Sequence, residues 1–102
     1  MTENRKFKVF RAIASPQRAK ILSFVSDNPG LHAGQIAEAL RIKRNKAAYH
    51  LGLLEKYNVI KSKYKVLLQP GSKGKAARIY SVNENEIDNI LKSMAAFVET
   101  LK

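Results

Sequence analysis

The apolar residues of this 102-residue chain change period twice, and that change restricts its fold more than any other feature. As far as Tyr57 they recur every three to four residues, the interval that stacks side chains on one face of a helix. From Val59 to Val82 the interval shortens to two, as in a strand with one wet face, and from Asn83 the helical interval returns. Such a pattern describes one domain over residues 1–102, α+β and mostly helical: about five helices interrupted by a two-stranded β-hairpin. An apolar share of 45% is ordinary for a globular chain of this length.

A first helix is expected over about residues 4–14, with Phe7, Phe10, Ile13 and Ala14 on one side. Ser15-Pro16 reads as an N-cap followed by proline at the first helical position, where a missing N–H costs nothing. The second helix carries Ala19, Ile21, Leu22 and Val25 at helical spacing until Asp27-Asn28-Pro29-Gly30 stops it. After a short extended piece at Leu31, a third helix over 33–40 buries Ile36, Ala37 and Leu40. Arg41-Ile42-Lys43 joins it to a fourth helix over 44–57 with a buried stripe of Ala47, Leu51 and Leu54. Two short helices on a tight turn, the second showing Arg44, Asn45, Lys46 and Tyr49 on its free face, have helix-turn-helix geometry over 33–57.

The period-two segment over 59–82 follows directly. Lys61, Lys63 and Lys65 alternate with residues able to face a core, 70–75 form a cationic turn containing Gly71 and Gly74, and Ala77 to Val82 return as a second strand. A hairpin in that position is a wing. Lys73, Lys75 and Arg78 are placed to enter a groove, while the three strand lysines suit either phosphate contact or a merely solvated face. Tyr64 and Tyr80 are expected to pack against the sheet. The last helix opens on Asn83 as N-cap with Glu84, Glu86 and Asp88 in its first turn, where carboxylates oppose the helix dipole. Its stripe of Ile87, Ile90, Leu91, Met94, Phe97, Val98 and Leu101 either folds back on the domain or joins a partner; a terminal helix has little intradomain surface left to cover, which favours a homodimer.

Charge supplies the partner class. Between Arg41 and Arg78 eleven basic residues face one acid, Glu55, a local charge of +10, whereas the remainder of the chain is nearly neutral. Segregation of that kind is the footprint of a polyanion-binding surface, because each neutralised phosphate releases counterions. Cysteine is absent and the two histidines, His32 and His50, stand in unrelated segments, so neither metal nor cofactor is expected. No phosphate loop, nucleophile elbow or histidine–carboxylate pairing is present, so an enzyme is not expected. No apolar run of about 18 residues exists to span a bilayer, and a soluble, cytoplasmic, nucleoid-associated protein is the expectation.

The segments Ile13 to Leu22, Gly34 to Leu40, Ala48 to Glu55 and Arg78 to Asn83 together resemble the arsenic-repressor-like (ArsR-like) winged helix-turn-helix regulators, in order and over nearly the whole chain. The resemblance implies a dimer built from the first and last helices (1–14 and 83–102), which assigns Phe7, Phe10, Ile87, Ile90, Leu91, Met94, Phe97, Val98 and Leu101 to the interface. Metal sensing does not carry over. The cysteines used by some members on the third helix are missing around Leu31 to Gln35, and the last helix has no histidine. At Lys43, where the family usually has a capping Ser or Thr, a lysine is unable to cap but able to reach a phosphate.

The expected function is sequence-specific binding of double-stranded DNA by a homodimeric transcription regulator. Repression is the expected sign, since the 102 residues hold no second domain to recruit polymerase. Its reading surface comprises Lys43, Arg44, Asn45, Lys46, Tyr49 and His50 on the fourth helix, His50 as a packed or phosphate-contacting residue, and Lys63, Lys65, Lys73, Lys75 and Arg78 on the wing. The alternatives are a sequence-independent architectural or chromatin protein, which the lysine load favours, and a winged helix used as a protein or RNA interaction module.

Overall fold

Each helix begins where local chemistry satisfies its free N–H groups. A computed structural model describes residues 5–66 and 75–101, with side chains from Lys8 onward. Helix α1 (Arg5–Ile13) is followed by α2 (Pro16–Asp27), whose N-cap Ser15 accepts the Arg18 N–H at 3.4 Å ahead of the expected proline. Helix α2 ends at Asn28, whose backbone N–H and side-chain amide both reach the Phe24 carbonyl.

Gly30, at φ +90°, turns the chain so that its N–H bonds the Tyr80 carbonyl at 2.9 Å. That turn makes the extended piece at Leu31 a strand, β1 (Leu31–His32), antiparallel to the returning arm of the hairpin. The hairpin strands are β2 (Ile60–Val66) and β3 (Ala76–Val82), paired from Ile60↔Val82 to Val66↔Ala76. The sheet order is therefore β1-β3-β2, one strand more than the two expected.

Helix α3 (Ala33–Leu40) opens on a reciprocal cap: His32 Nδ1 accepts the Gln35 N–H at 3.2 Å and Gln35 Oε1 accepts the His32 N–H at 3.0 Å. Arg41, left-handed at φ 55°, ends it and compresses the connection to α4 (Arg44–Lys56) into three residues. The α4 stripe Ala47, Leu51 and Leu54 is fully buried, as its spacing predicts, among Ile21, Val25, Ile36 and Ile60. Each such aliphatic contributes about 1.5–3 kcal/mol by leaving water. Leu40 is half-buried.

Helix α5 (Glu84–Thr100) starts at Asn83, whose side chain accepts the Glu86 N–H at 3.4 Å. Two expectations are corrected at the margins of the core. Among the described side chains of α1, Val9 and Ala12 are buried, with Phe10 and Ile13 packed beside the core and Ala14 exposed, because the helix lies against α2, α4 and α5 together. On α5, Ile90 is buried in the chain's own core and Ile87 packs against it, so both are at least partly spent within the domain. The Phe7 side chain lies outside the described residues. Among the described residues, no helix is long and apolar enough to cross a membrane.

Candidate nucleic-acid interface

Burying one face of α4 leaves its first two turns free to display the opposite one. Arg44, Asn45 and Lys46 are exposed there, and Tyr49 is 64% exposed. Lys43 is the N-cap residue and makes no side-chain capping bond. The positive end of the α4 dipole therefore opens beside Lys43, Arg44 and Lys46, a concentration of donors suited to an anion. Gly34 lies under the His32 ring: a Cβ there would stand 3.2 Å from it, tighter than an ordinary contact, and 3.8 Å from Arg44 Cζ, an ordinary one.

His50 occupies the flank of α4 that faces α2 and is half-buried. Arg18 Nη1 is 3.3 Å from its Nδ1, and Arg18 Nε donates to the Ala12 carbonyl. A guanidinium has no acceptor, so Nδ1 accepts and the neutral ring carries its proton on Nε2. Burial, then the charges of Arg18 and Lys46, push the His50 pKa below the ordinary imidazole value. The Tyr49 ring meets the His50 ring edge-on at 5.3 Å. His50 is thus a half-buried, packed histidine beside the exposed residues of the helix start.

The strand register divides the wing cations, which the sequence presents as one group. Cross-strand partners share a face, so Ser62, Tyr64, Arg78 and Tyr80 lie on one side and Lys61, Lys63 and Lys65 on the other with Ala77, Ile79 and Ser81. Buried Tyr80 identifies the first side as the one against the core and α4. The three exposed strand lysines therefore point away from α4. Lys75 is exposed just before β3, and Lys73 lies outside the described residues.

Arg78 is not a free cation. Its Nη2 donates to the Tyr64 hydroxyl at 3.1 Å, its guanidinium lies 5.2 Å over the Tyr64 ring, and its Nη1 is 3.7 Å from Glu55 Oε1. The Tyr64 hydrogen bond first, and the neighbouring charges after it, raise the Arg78 pKa. Tyr64 departs from expectation: it is 67% exposed, lying under Arg78 and not in the core, whereas Tyr80 packs as expected.

Beyond Ile90 the outer face of α5 is open. Leu91, Met94, Phe97, Val98 and Leu101 are all exposed, an apolar run at helical spacing of the kind that marks an association surface. Among the described residues, no group of three or more His, Cys, Asp or Glu side chains is arranged to hold a metal ion. Sequence reasoning missed Arg18, which no local pattern marks, and passed over Glu55, which the charge distribution isolates.

Residues 13–63 match the family described as Helix-turn-helix domain. No curated protein matches the chain by sequence. Its fold is similar to an ArsR-like transcriptional regulator from Rhodococcus sp. RHA1, with 20% identity, 95% of this chain and 82% of that one covered, and a TM-score of 0.74. It is also similar to a possible transcriptional regulator from Methanosarcina mazei Go1, at 13% identity, 92% and 79% covered and a TM-score of 0.69. A third similar structure is the homodimeric winged helix-turn-helix DNA-binding domain of a possible ArsR-family regulator from Mycobacterium bovis, at 17% identity, 95% and 82% covered and a TM-score of 0.65. The matched half of the chain holds α2, the paired helices α3 and α4 and the start of β2; the chain belongs to the helix-turn-helix domain family, with a fold like that of the winged helix-turn-helix structures above.

Proposed function

We propose that this chain is a non-enzymatic, sequence-specific double-stranded DNA-binding transcription regulator that acts as a homodimer, with repression as its sign. The observation that carries the reading is the start of α4: Arg44, Asn45, Lys46 and Tyr49 stand exposed on a helix whose other face is anchored in the core. A helix presented that way fits the major groove, where Asn pairs with adenine and Arg or Lys with guanine. The hairpin adds further cations, Lys61, Lys63 and Lys65 on the face turned away from α4 and exposed Lys75 just before β3. The exposed apolar face of α5 and the homodimeric state of the Mycobacterium bovis relative support a two-fold dimer. A dimer covering two half-sites occludes DNA, which favours repression, and a cytoplasmic, nucleoid-associated location follows from the partner.

Selection of bound duplexes from a random library, repeated under excess unrelated DNA, tests this. A palindromic motif that survives competition is expected. Equal binding to all duplexes favours the architectural alternative, to which the net charge of +11 lends weight. Preference for single strands or RNA overturns both.

A further inference from the structure

Glu55 is the one acid between Arg41 and Arg78, and binding a polyanion gives no reason for it, since a carboxylate among cations repels phosphate. Its neighbours supply a reason. From the last turns of α4, Glu55 Oε2 accepts the Ser62 hydroxyl of β2, while Oε1 stands 3.7 Å from Arg78 Nη1 of β3. Arg78 then bonds and covers Tyr64, its direct cross-strand partner. A single carboxylate thus ties both arms of the wing to the helix that displays Asn45 and Lys46. The location matters as much as the bonds: Ile60 is buried and Ser62 half-buried, but Lys63 to Val66 are all exposed, so the clasp sits where the hairpin leaves the core.

Resting on the DNA-binding reading above, we propose that Glu55 is a specificity-determining positioning residue, which fixes the wing relative to the reading end of α4 by clasping Ser62 and Arg78. Binding to arbitrary duplex is electrostatic and tolerates any angle between helix and wing. Binding to a preferred site requires both elements in register at once, and a wing already held in place loses less freedom on docking. The carboxylate therefore lowers affinity for all DNA while raising the preference for one sequence. The ion pair is partly exposed and contributes little to stability, so Tm is expected to change little when it is lost.

The test uses the full chain, the duplex selected from a random library and an unrelated duplex at one salt concentration, with Tm recorded for each variant. Glu55→Gln is expected to bind the unrelated duplex about two- to fivefold more tightly, by loss of one repulsive charge, and to lose about tenfold in the ratio of selected to unrelated affinity. Tyr64→Phe changes no charge and removes only the hydroxyl that holds Arg78, and is expected to lower the same ratio without tightening unrelated binding. Glu38→Gln, an equal charge change at an exposed position on α3, is expected to strengthen both duplexes alike. A ratio in Glu55→Gln and Tyr64→Phe within twofold of the parent overturns the inference alone. A parent with no preferred duplex overturns the functional reading, and this inference with it.

Discussion

Arg18 on α2 and His50 on α4, thirty-two positions apart, meet at 3.3 Å between Nη1 and Nδ1, and the same guanidinium holds the Ala12 carbonyl at the end of α1. One side chain therefore links the α1–α2 corner to the helix carrying the candidate readers.

That link makes stability depend on pH in a predictable direction. The His50 pKa is lowered in the folded chain, by burial and by Arg18 and Lys46, so the unfolded chain binds the proton more readily. The contribution is complete above the unfolded value of 6.5 and is lost as pH falls from there through the depressed folded value. His50→Gln should flatten this part of the profile. Thermal unfolding of parent and variant between pH 7.5 and about 5 checks it; curves that stay parallel throughout contradict the linkage.

His32 caps the start of α3. Its ring nitrogen caps the Gln35 N–H and its backbone N–H is capped in return, so His32→Ala removes half of a reciprocal pair. A loss of about 0.5–2 kcal/mol in denaturant unfolding is expected. His32→Asn, which retains a short acceptor, should recover most of it, and unchanged stability in the alanine variant would show that the cap contributes nothing.

The elements are legible in the sequence wherever a cap and a stripe coincide. Ser15-Pro16 opens α2, Asn83 opens α5, and Ala47, Leu51 and Leu54 are buried as their spacing requires. The extended piece at Leu31 is legible but its pairing as strand β1 is not, because two residues have no period and the pairing depends on Gly30 turning toward Tyr80. The burial of Val9 and Ala12 on α1 is hidden in the sequence because Phe10 and Ile13 beside them carry more apolar bulk, whereas packing against three helices covers the smaller pair most completely. The wing cations alternate visibly in sequence, but which side meets α4 is settled by the burial of Tyr80. Arg18–His50 depends on how α2 docks against α4, which no local pattern encodes.

Assembly should depend on the open half of α5. Leu91 and Met94 are 58% and 39% exposed, so charged residues there leave the core intact, unlike a change at Ile90, which is 5% exposed. Leu91→Glu with Met94→Lys is expected to give a folded monomer with weakened DNA binding. Sedimentation and circular dichroism measure the two effects separately. A parent that sediments as a monomer at micromolar concentration removes the dimer from the functional reading.

The two DNA-facing surfaces should fail in different ways, because base edges carry sequence and phosphates do not. Asn45 and Lys46 stand exposed at the start of α4, while Ala47 beside them and Leu51 one turn on hold the helix in the core. Replacing either by Ala should cost on the order of 1–3 kcal/mol on the preferred duplex and much less on unrelated DNA, as when a bidentate hydrogen bond to a base edge is removed. Wing lysines act through charge. If about six phosphates are neutralised per dimer, log affinity of the parent should fall against log salt with a slope near −5. Replacing Lys73 and Lys75 should lower affinity for both duplexes by similar factors and bring that slope closer to zero by about one for each phosphate left unneutralised. Lys63 and Lys65 point from the sheet face turned away from α4, so their replacement should alter the slope less than that of Lys43, exposed at the N-terminus of α4. Fluorescence anisotropy over a salt series with both duplexes separates these outcomes. Should the Lys73 and Lys75 changes shift sequence preference while those at Asn45 and Lys46 leave it intact, the wing is the reader and α4 the anchor.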